Sequence, residues 1–326
     1  MADKNITIRE ALSSALREEM LRDDRVFIMG EEVGVWGGTY AVTRGFLDEF
    51  GAKRVRDTPI SEMAIAGSAV GAAMAGLRPV AEIMTINFAF VAMDAIINHM
   101  AKVHYMFNGQ FNVPMVIRTT TGGGKQLGAT HSHAPEVIFA HFPGLYVAVP
   151  GTAYDAKGML KAAIRDDNPV LFVEHSTMLQ RRSPVPDDDN FVLPIGKSDI
   201  KREGKDVTIV TYQKGLEWSL QAADMLAQEG VEAEVVDLRW LRPLDLEPVF
   251  ESVKKTNRAV IVEESLPHFN VGAEITTQIQ DQVFDYLDAP VKRVSAMDVP
   301  LPYASNIEMM ALPDAQKVVA AVKEVL

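Results

Sequence analysis

The chain has 326 residues, which suits two domains of about 150 residues each better than one. Its formal charge of −12 argues against a nucleic-acid backbone as ligand, because binding phosphates requires an excess of Lys and Arg. It contains no cysteine, which excludes disulfides, thiolate metal sites and cysteine nucleophiles.

Hydrophobic residues make up 48% of the chain, ample for globular cores, yet no apolar stretch reaches the roughly 20 residues that span a membrane. "MADKNITIRE" has neither a signal-peptide core nor an Arg-rich transit pattern, so a cytoplasmic, bacterial-type location is expected; a mitochondrial or plastid one would require a transit peptide already removed. Thr7-Ile8-Arg9-Glu10 reads as a capping box, and Ile8, Ala11, Leu12, Ala15 and Leu16 keep helical spacing up to the charged turn at Arg22 to Arg25. "RVFIM" (25–29) follows as a short buried strand. The pattern then alternates: helix 62–76, strand "RPVAEIMT", helix 88–107, strands "VPMVIRT" and "LYVAVP", helix 152–166 and strand "PVLFVEH".

Runs of Val, Ile and Leu without polar alternation suit strands covered on both faces, meaning parallel sheet with flanking helices. The texture changes at "RRSPVPDDDNFVLPIGK", rich in Pro, Asp and charge, which reads as a linker. A second alternating series starts at "DVTIVTY" (206–212) and runs through helix 215–229, "AEVVDLR", helix 244–256, "RAVIVEES", helix 272–287, "VKRVSAMD" and a last helix from about 314. The expected architecture is α/β: a first domain over 1–180, a linker over 181–203 and a second domain over 204–326.

"DTPISEMAIAGSAVGAAMAGL" (57–77) places Glu62 at the mouth of a segment built to be buried. It is either a first-turn acid favoured by the helix dipole or an acid aimed into a pocket, and the spacing leaves both open. Gly67 and Gly71, four apart among small residues, predict a tight helix crossing, of the kind often found across a subunit interface. "TGGGKQLGATHSH" (121–133) lacks the spacing of a phosphate loop and reads as a flexible loop that delivers His131 and His133. The aromatics Phe88, Phe90, Tyr105 and Phe107 bracket an aliphatic helix, where core packing is the plain reading. No GxSxG elbow is present, and no HExxH or clustered carboxylate-His pattern accompanies the two histidines.

Taken in order, "GEEVGVWGGTY", "DTPISE", "GAAMAGLRPVAEIM", "THSH", "DAKGMLKAAIRDDNP" and "LRWLRPLD" resemble one family along essentially the whole chain. It is the beta subunit of the thiamine-diphosphate-dependent first component of 2-oxoacid dehydrogenase complexes. The pyruvate dehydrogenase branch is the nearest; the branched-chain 2-oxoacid and acetoin branches are the enzymatic alternatives, and a non-catalytic scaffold is the rival of another class. The resemblance implies a transketolase-like pyrimidine-binding domain followed by a transketolase C-terminal-like domain in an α2β2 assembly. It also implies that Glu62 hydrogen-bonds the cofactor's aminopyrimidine nitrogen, that Phe88 stacks on that ring, that Met84 lines the pocket and that Glu31 lies near the cofactor channel.

On the same likeness His131 faces the cofactor's reactive end and serves proton transfer to the incoming lipoyl group. His133 stands where the family has Gln, and Val91 where a polar residue is common. The block "AAIRDDNP" resembles a potassium site with oxygens from Ala163, Ile164, Asp166 and Asn168 and from Met115 on the neighbouring strand. No Gly-Asp-Gly segment occurs, so the magnesium and the diphosphate half of the site are expected on an alpha subunit. Asp288 and the terminal carboxylate of Leu326 are the expected contacts for a basic domain of the acyltransferase core. Such a partner is compatible with the acidic balance of the chain.

Overall fold

The computed structural model describes residues 3–326. It divides into two compact units, one made of residues up to Thr121 together with Ile138–Ile195, the other of Gly122–Val137 and Gly196–Leu326.

In the first unit the chain opens with a strand, Lys4–Thr7, that runs straight into the helix Ile8–Arg22. The junction is the capping box foreseen above. Thr7 Oγ1 accepts from the Glu10 N–H at 3.1 Å, and Glu10 Oε2 accepts from the Thr7 N–H at 2.7 Å. Two orphan backbone donors are thereby satisfied. The central strands lie in the order Tyr146–Ala148, Val170–His175, Val116–Thr121, Arg78–Ile83, Val26–Gly30, Val55–Asp57, all parallel. Their apolar side chains are buried on both faces, as near-continuous Val/Ile runs require. The helices Ile8–Arg22 and Ala153–Arg165 pack together, and charged contacts bind them: Lys157 meets Glu18 at 2.8 Å and Arg165 forks onto Glu19.

The second unit has a five-stranded sheet in the order Lys292–Val294, Ala259–Val262, Val207–Thr211, Ala233–Asp237, Asp199–Arg202. Only the last strand is antiparallel to its neighbour. Helices Lys214–Gln228 and Ala315–Lys323 close one core around Ile209, Trp218, Leu226, Val235 and Val322.

Two expectations need correction. The helix expected over 88–107 is broken into Ile86–Ala89, a π-helical stretch Asp94–Met100 and Val103–Met106. Wider winding brings Asp94 within reach of both Asn98 and His99, at 2.8 and 3.2 Å, while Ile96, Ile97 and Met100 stay buried. The segment expected as linker carries two edge strands: Arg182–Val185 pairs antiparallel with Lys4–Thr7, and Asp199–Arg202 with Ala233–Asp237. Pro184 is tolerated because an edge strand can spare one N–H. Gly67 and Gly71 are exposed, and a Cβ at either would meet nothing within 4 Å among the described residues of this chain, so the close crossing expected there is left to a subunit contact. Among the described residues no helix is long and apolar enough to cross a membrane.

Candidate active site

Parallel strands in register deliver their following loops to one edge of the sheet, and in open α/β sheets that edge is where ligands bind. Here Gly30 pairs with Asp57, so Glu31 and the segment leading to Glu62 leave neighbouring strands side by side. Asp57 fastens them. Its carboxylate accepts from the N–H groups of Gly34 at 2.5 Å and Val35 at 3.3 Å, and the Thr58 N–H donates to the Gly30 carbonyl at 2.9 Å. Two sequence blocks far apart in the chain are thus stitched at their ends.

Glu62 is the first residue of the helix Glu62–Met74 and is 7% exposed. Glu31 is 6% exposed, and its Oε1 has no hydrogen-bond partner among the described residues. Burial, and secondarily the charge of Glu62, push the Glu31 carboxyl above its ordinary value. A carboxyl raised in this way holds a proton more readily than an exposed one.

Beneath them is a buried ion triad. Arg118 forks onto Glu174 at 2.6 and 2.9 Å and reaches Glu82 at 2.8 Å. Burial raises the Glu82 carboxyl above its ordinary value even though Arg118 opposes the rise. Gly38, at φ +77°, folds the 31–45 loop onto Glu82 so closely that a Cβ would lie 2.6 Å from Glu82 Oε1. Tyr40, Met84 and the triad line one small cavity. The Met84 carbonyl accepts from Thr120 Oγ1 at 2.9 Å, and Thr85 Oγ1 donates to Asn87 and to the Thr120 carbonyl. These bonds fix the turn that carries half-buried Phe88.

His131 and His133 belong to the second unit with the 122–137 segment. Both are exposed, whereas Ser132 between them is buried. His131 Nδ1 lies 2.8 Å from Thr130 Oγ1. Desolvation, and then the neighbouring His131, push the His133 imidazole below its ordinary value.

The residues expected to hold potassium gather around the end of the helix Ala153–Arg165. Arg78 Nη1 donates to the carbonyls of Ile164 at 2.9 Å and Asp166 at 2.8 Å, and its other Nη pairs with Asp167. Asp166 Oδ1 accepts from both the backbone N–H and the side-chain amide of Asn168, each at 2.8 Å, and the Met115 carbonyl accepts from Val170. The chain itself therefore already supplies a cation to the negative end of this helix. Asp288 pairs with Arg258 at 3.4 Å, and Arg258 Nε donates to the Val325 carbonyl at 2.9 Å, which brings Asp288 beside the C-terminus.

Several members of this arrangement were not singled out from the sequence, namely Asp57, Glu82, Arg118 and Glu174. Three of them carried a readable signal, because Glu82, Arg118 and Glu174 are charges that each directly follow a run of apolar residues. Such a charge is retained only with a partner.

The two units correspond to two family models: residues 4–181 match the transketolase pyrimidine-binding domain, and 196–318 the transketolase C-terminal domain. A solved structure described as a split-gene transketolase, an inactive beta4 tetramer, superposes with a TM-score of 0.79 at 27% identity, covering 99% of both chains. The class is thus a transketolase-like pair of α/β domains. Closer relatives narrow it. The pyruvate dehydrogenase E1 component subunit beta of Rhizobium meliloti (strain 1021) is 52% identical, covering 98% of this chain and 70% of the relative. The mitochondrial beta-2 subunit of Oryza sativa subsp. japonica is 51% identical over 99% and 86%, and the subunit beta of Rickettsia felis 50% identical over 98% of each chain. The chain belongs to the family of pyruvate dehydrogenase E1 component beta subunits.

Proposed function

We propose that this chain, together with an alpha chain, decarboxylates pyruvate on thiamine diphosphate and passes the acetyl group to the lipoyl arm of an acyltransferase core. The observation that carries the reading is the buried Glu62–Glu31 pair at the C-terminal edge of the first sheet, with one Glu31 oxygen left without a donor. An aminopyrimidine ring offers a donor of the kind that Glu31 Oε1 lacks, so the residues present fit this group. When bound, thiamine diphosphate supplies an electron sink for the loss of carbon dioxide.

In this reading Glu62 shares a proton with the ring nitrogen, Glu31 holds a proton next to it, and Met84 and Phe88 form the apolar wall that excludes water. His131 delivers a proton to the lipoyl sulfur as the dithiolane opens. The diphosphate and its magnesium fall to the alpha chain. Potassium would take carbonyl oxygens of Met115, Ala163 and Ile164 with Asp166 and Asn168, and Asp288 with Leu326 would dock a basic domain of the core. The pyrimidine-binding domain would span 1–180 and the C-terminal domain 204–326, joined by 181–203.

The test separates the two assigned residues by step, using the complex with the alpha chain. Glu62→Gln should lower decarboxylation with an artificial electron acceptor by about 10²–10⁴, the usual scale of a lost acid-base group. His131→Ala should lower acetylation of a lipoyl domain far more than it lowers that first activity. If Glu62→Gln works at the wild-type rate, Glu62 is only a helix-start acid. If His131→Ala depresses both activities equally, the late-step role is wrong. A panel of straight-chain and branched 2-oxoacids and acetoin assigns the substrate.

A further inference from the structure

The loop that carries His131 has the sequence of a mobile segment and the contacts of a fixed one. Gly122, Gly124 and Gly128 have positive φ, and Gln126, at φ +55°, is a non-glycine residue in the same left-handed region. Left to itself such a backbone samples many conformations. Yet its amides are taken up one after another by two carboxylates. Glu264 Oε1 accepts from the Gly123 N–H at 2.6 Å. Glu308 Oε1 accepts from the Gly124 N–H at 2.9 Å, while Glu308 Oε2 accepts from the Gln126 backbone N–H at 3.0 Å and from Gln126 Nε2 at 3.2 Å.

Both carboxylates are buried, Glu308 completely. A carboxylate removed from water is costly unless donors replace its hydration, and successive backbone N–H groups in a concave turn do so well. The glycines are required by the same docking. A Cβ at Gly123 would lie 2.7 Å from Leu301 Cδ1, and one at Gly128 would lie 2.4 Å from the Tyr303 ring. Leu301 and Leu312 form, with Ala311, a small buried cluster of their own beneath the loop.

The loop is also closed on itself towards the histidines. The His131 N–H donates to the Gly128 carbonyl at 3.2 Å, and the Gly122 N–H to the His133 carbonyl at 3.1 Å. Any shift of residues 123–126 therefore moves the base on which the exposed His131 side chain stands. A proton donor displaced by about 1 Å can lose about 10²-fold in rate.

We propose that Glu308 and Glu264 are positioning residues that hold the 122–133 loop so that His131 is presented for proton delivery to the lipoyl group. The inference rests on the late-step role proposed above for His131. Glu308 and Glu264 do not touch the reacting atoms; they act through the backbone of the loop.

The experiment uses the full complex with the alpha chain, comparing wild type with Glu308→Gln, Glu264→Gln and His131→Ala. In Glu308→Gln an –NH2 must face one of two backbone N–H groups, whereas Glu264→Gln can keep a carbonyl oxygen on the Gly123 N–H but loses the charge that strengthens that bond. Hydrogen exchange should then speed up about 10–100-fold at Gly124 and Gln126 in Glu308→Gln, and at Gly123 in Glu264→Gln. The strand Val207–Thr211 should keep its protection. The ratio of lipoyl acetylation to artificial-acceptor decarboxylation should fall about 10-fold. If Glu308→Gln fails to fold, Glu264→Gln carries the same readings.

Loop exchange at the wild-type rate would overturn the proposal. So would faster exchange spreading to Val207–Thr211 with an unchanged ratio, because the carboxylates would then support only the domain. Faster loop exchange with an unchanged ratio, while His131→Ala abolishes acetylation, would overturn the proposal and leave the His131 role standing. If His131→Ala leaves acetylation intact, that role falls, and this inference with it.

Discussion

Replacing Arg118 by Met should destabilise the first unit severely, and more so at high pH. The side chain is almost completely buried and is bonded to two buried carboxylates, at 2.6 and 2.9 Å from Glu174 and 2.8 Å from Glu82. Met fills a similar volume, so little of the loss comes from a cavity. The loss comes from leaving two carboxylates without a counter-charge, and breaking a buried pair in this way costs about 3–5 kcal/mol. At about 2–4 °C per kcal/mol for a unit of this size, the Tm should drop by about 6–20 °C.

The pH dependence follows from Glu82. Its folded value already lies above the ordinary 4.5 because of burial, and Arg118 is the leading influence holding it down. Removing Arg118 raises it further. A carboxyl raised in the folded state contributes stability that is fully present below its unfolded value and is lost as pH rises through its folded value. The deficit of the variant should therefore be small near pH 5 and grow as the pH rises. Differential scanning fluorimetry of both proteins across that range measures it. A Tm within 2 °C of wild type at pH 8, or a deficit that does not change with pH, would refute the reasoning. Adding Glu82→Gln and Glu174→Gln to Arg118→Met should recover much of the loss, since no uncompensated charge then remains.

Glu263 is raised to about 7, first by burial, while the Gly272 N–H at 2.8 Å and the Tyr212 hydroxyl at 3.1 Å pull it down. By the same sign rule wild type should lose roughly 3 kcal/mol relative to Glu263→Gln as pH rises from 4.5 through 7, seen in urea denaturation; parallel stability curves would contradict this. Potassium should raise the melting temperature over sodium if the carbonyls that already receive Arg78 also bind an ion, and identical melting in the two chlorides counts against the site. Docking of a basic domain should weaken with Asp288→Ala and with rising salt, as measured by titration calorimetry; binding indifferent to both removes Asp288 and the C-terminus as the contact.

Part of the fold could be read from the residues alone, and the rest could not, for reasons that differ from place to place. The capping box at Thr7 and Glu10 is a contact across three residues, so local spacing contains it whole. The parallel strands are legible because a strand buried on both faces must be apolar throughout. The break in the helix at Asp94–Met100 is not legible, since α and π winding can bury the same side chains and differ only in the contacts that the wider turn permits. Gly67 and Gly71 are a different case: their spacing announces a close neighbour, and within the described residues of this chain both positions are open.

Sequence by itself determined the alternation of the two α/β halves and, through long specific blocks, the family. Each of these depends on composition or on contacts between residues near in the chain. Only the tertiary structure decided that Asp57 ties the Glu31 loop to the Glu62 helix, that Arg118 joins Glu82 to Glu174, and that the histidine loop belongs to the second unit on Glu264 and Glu308. Those pairs are separated by 23 to 184 residues, and a hydrogen bond depends on positions in space that no local spacing encodes.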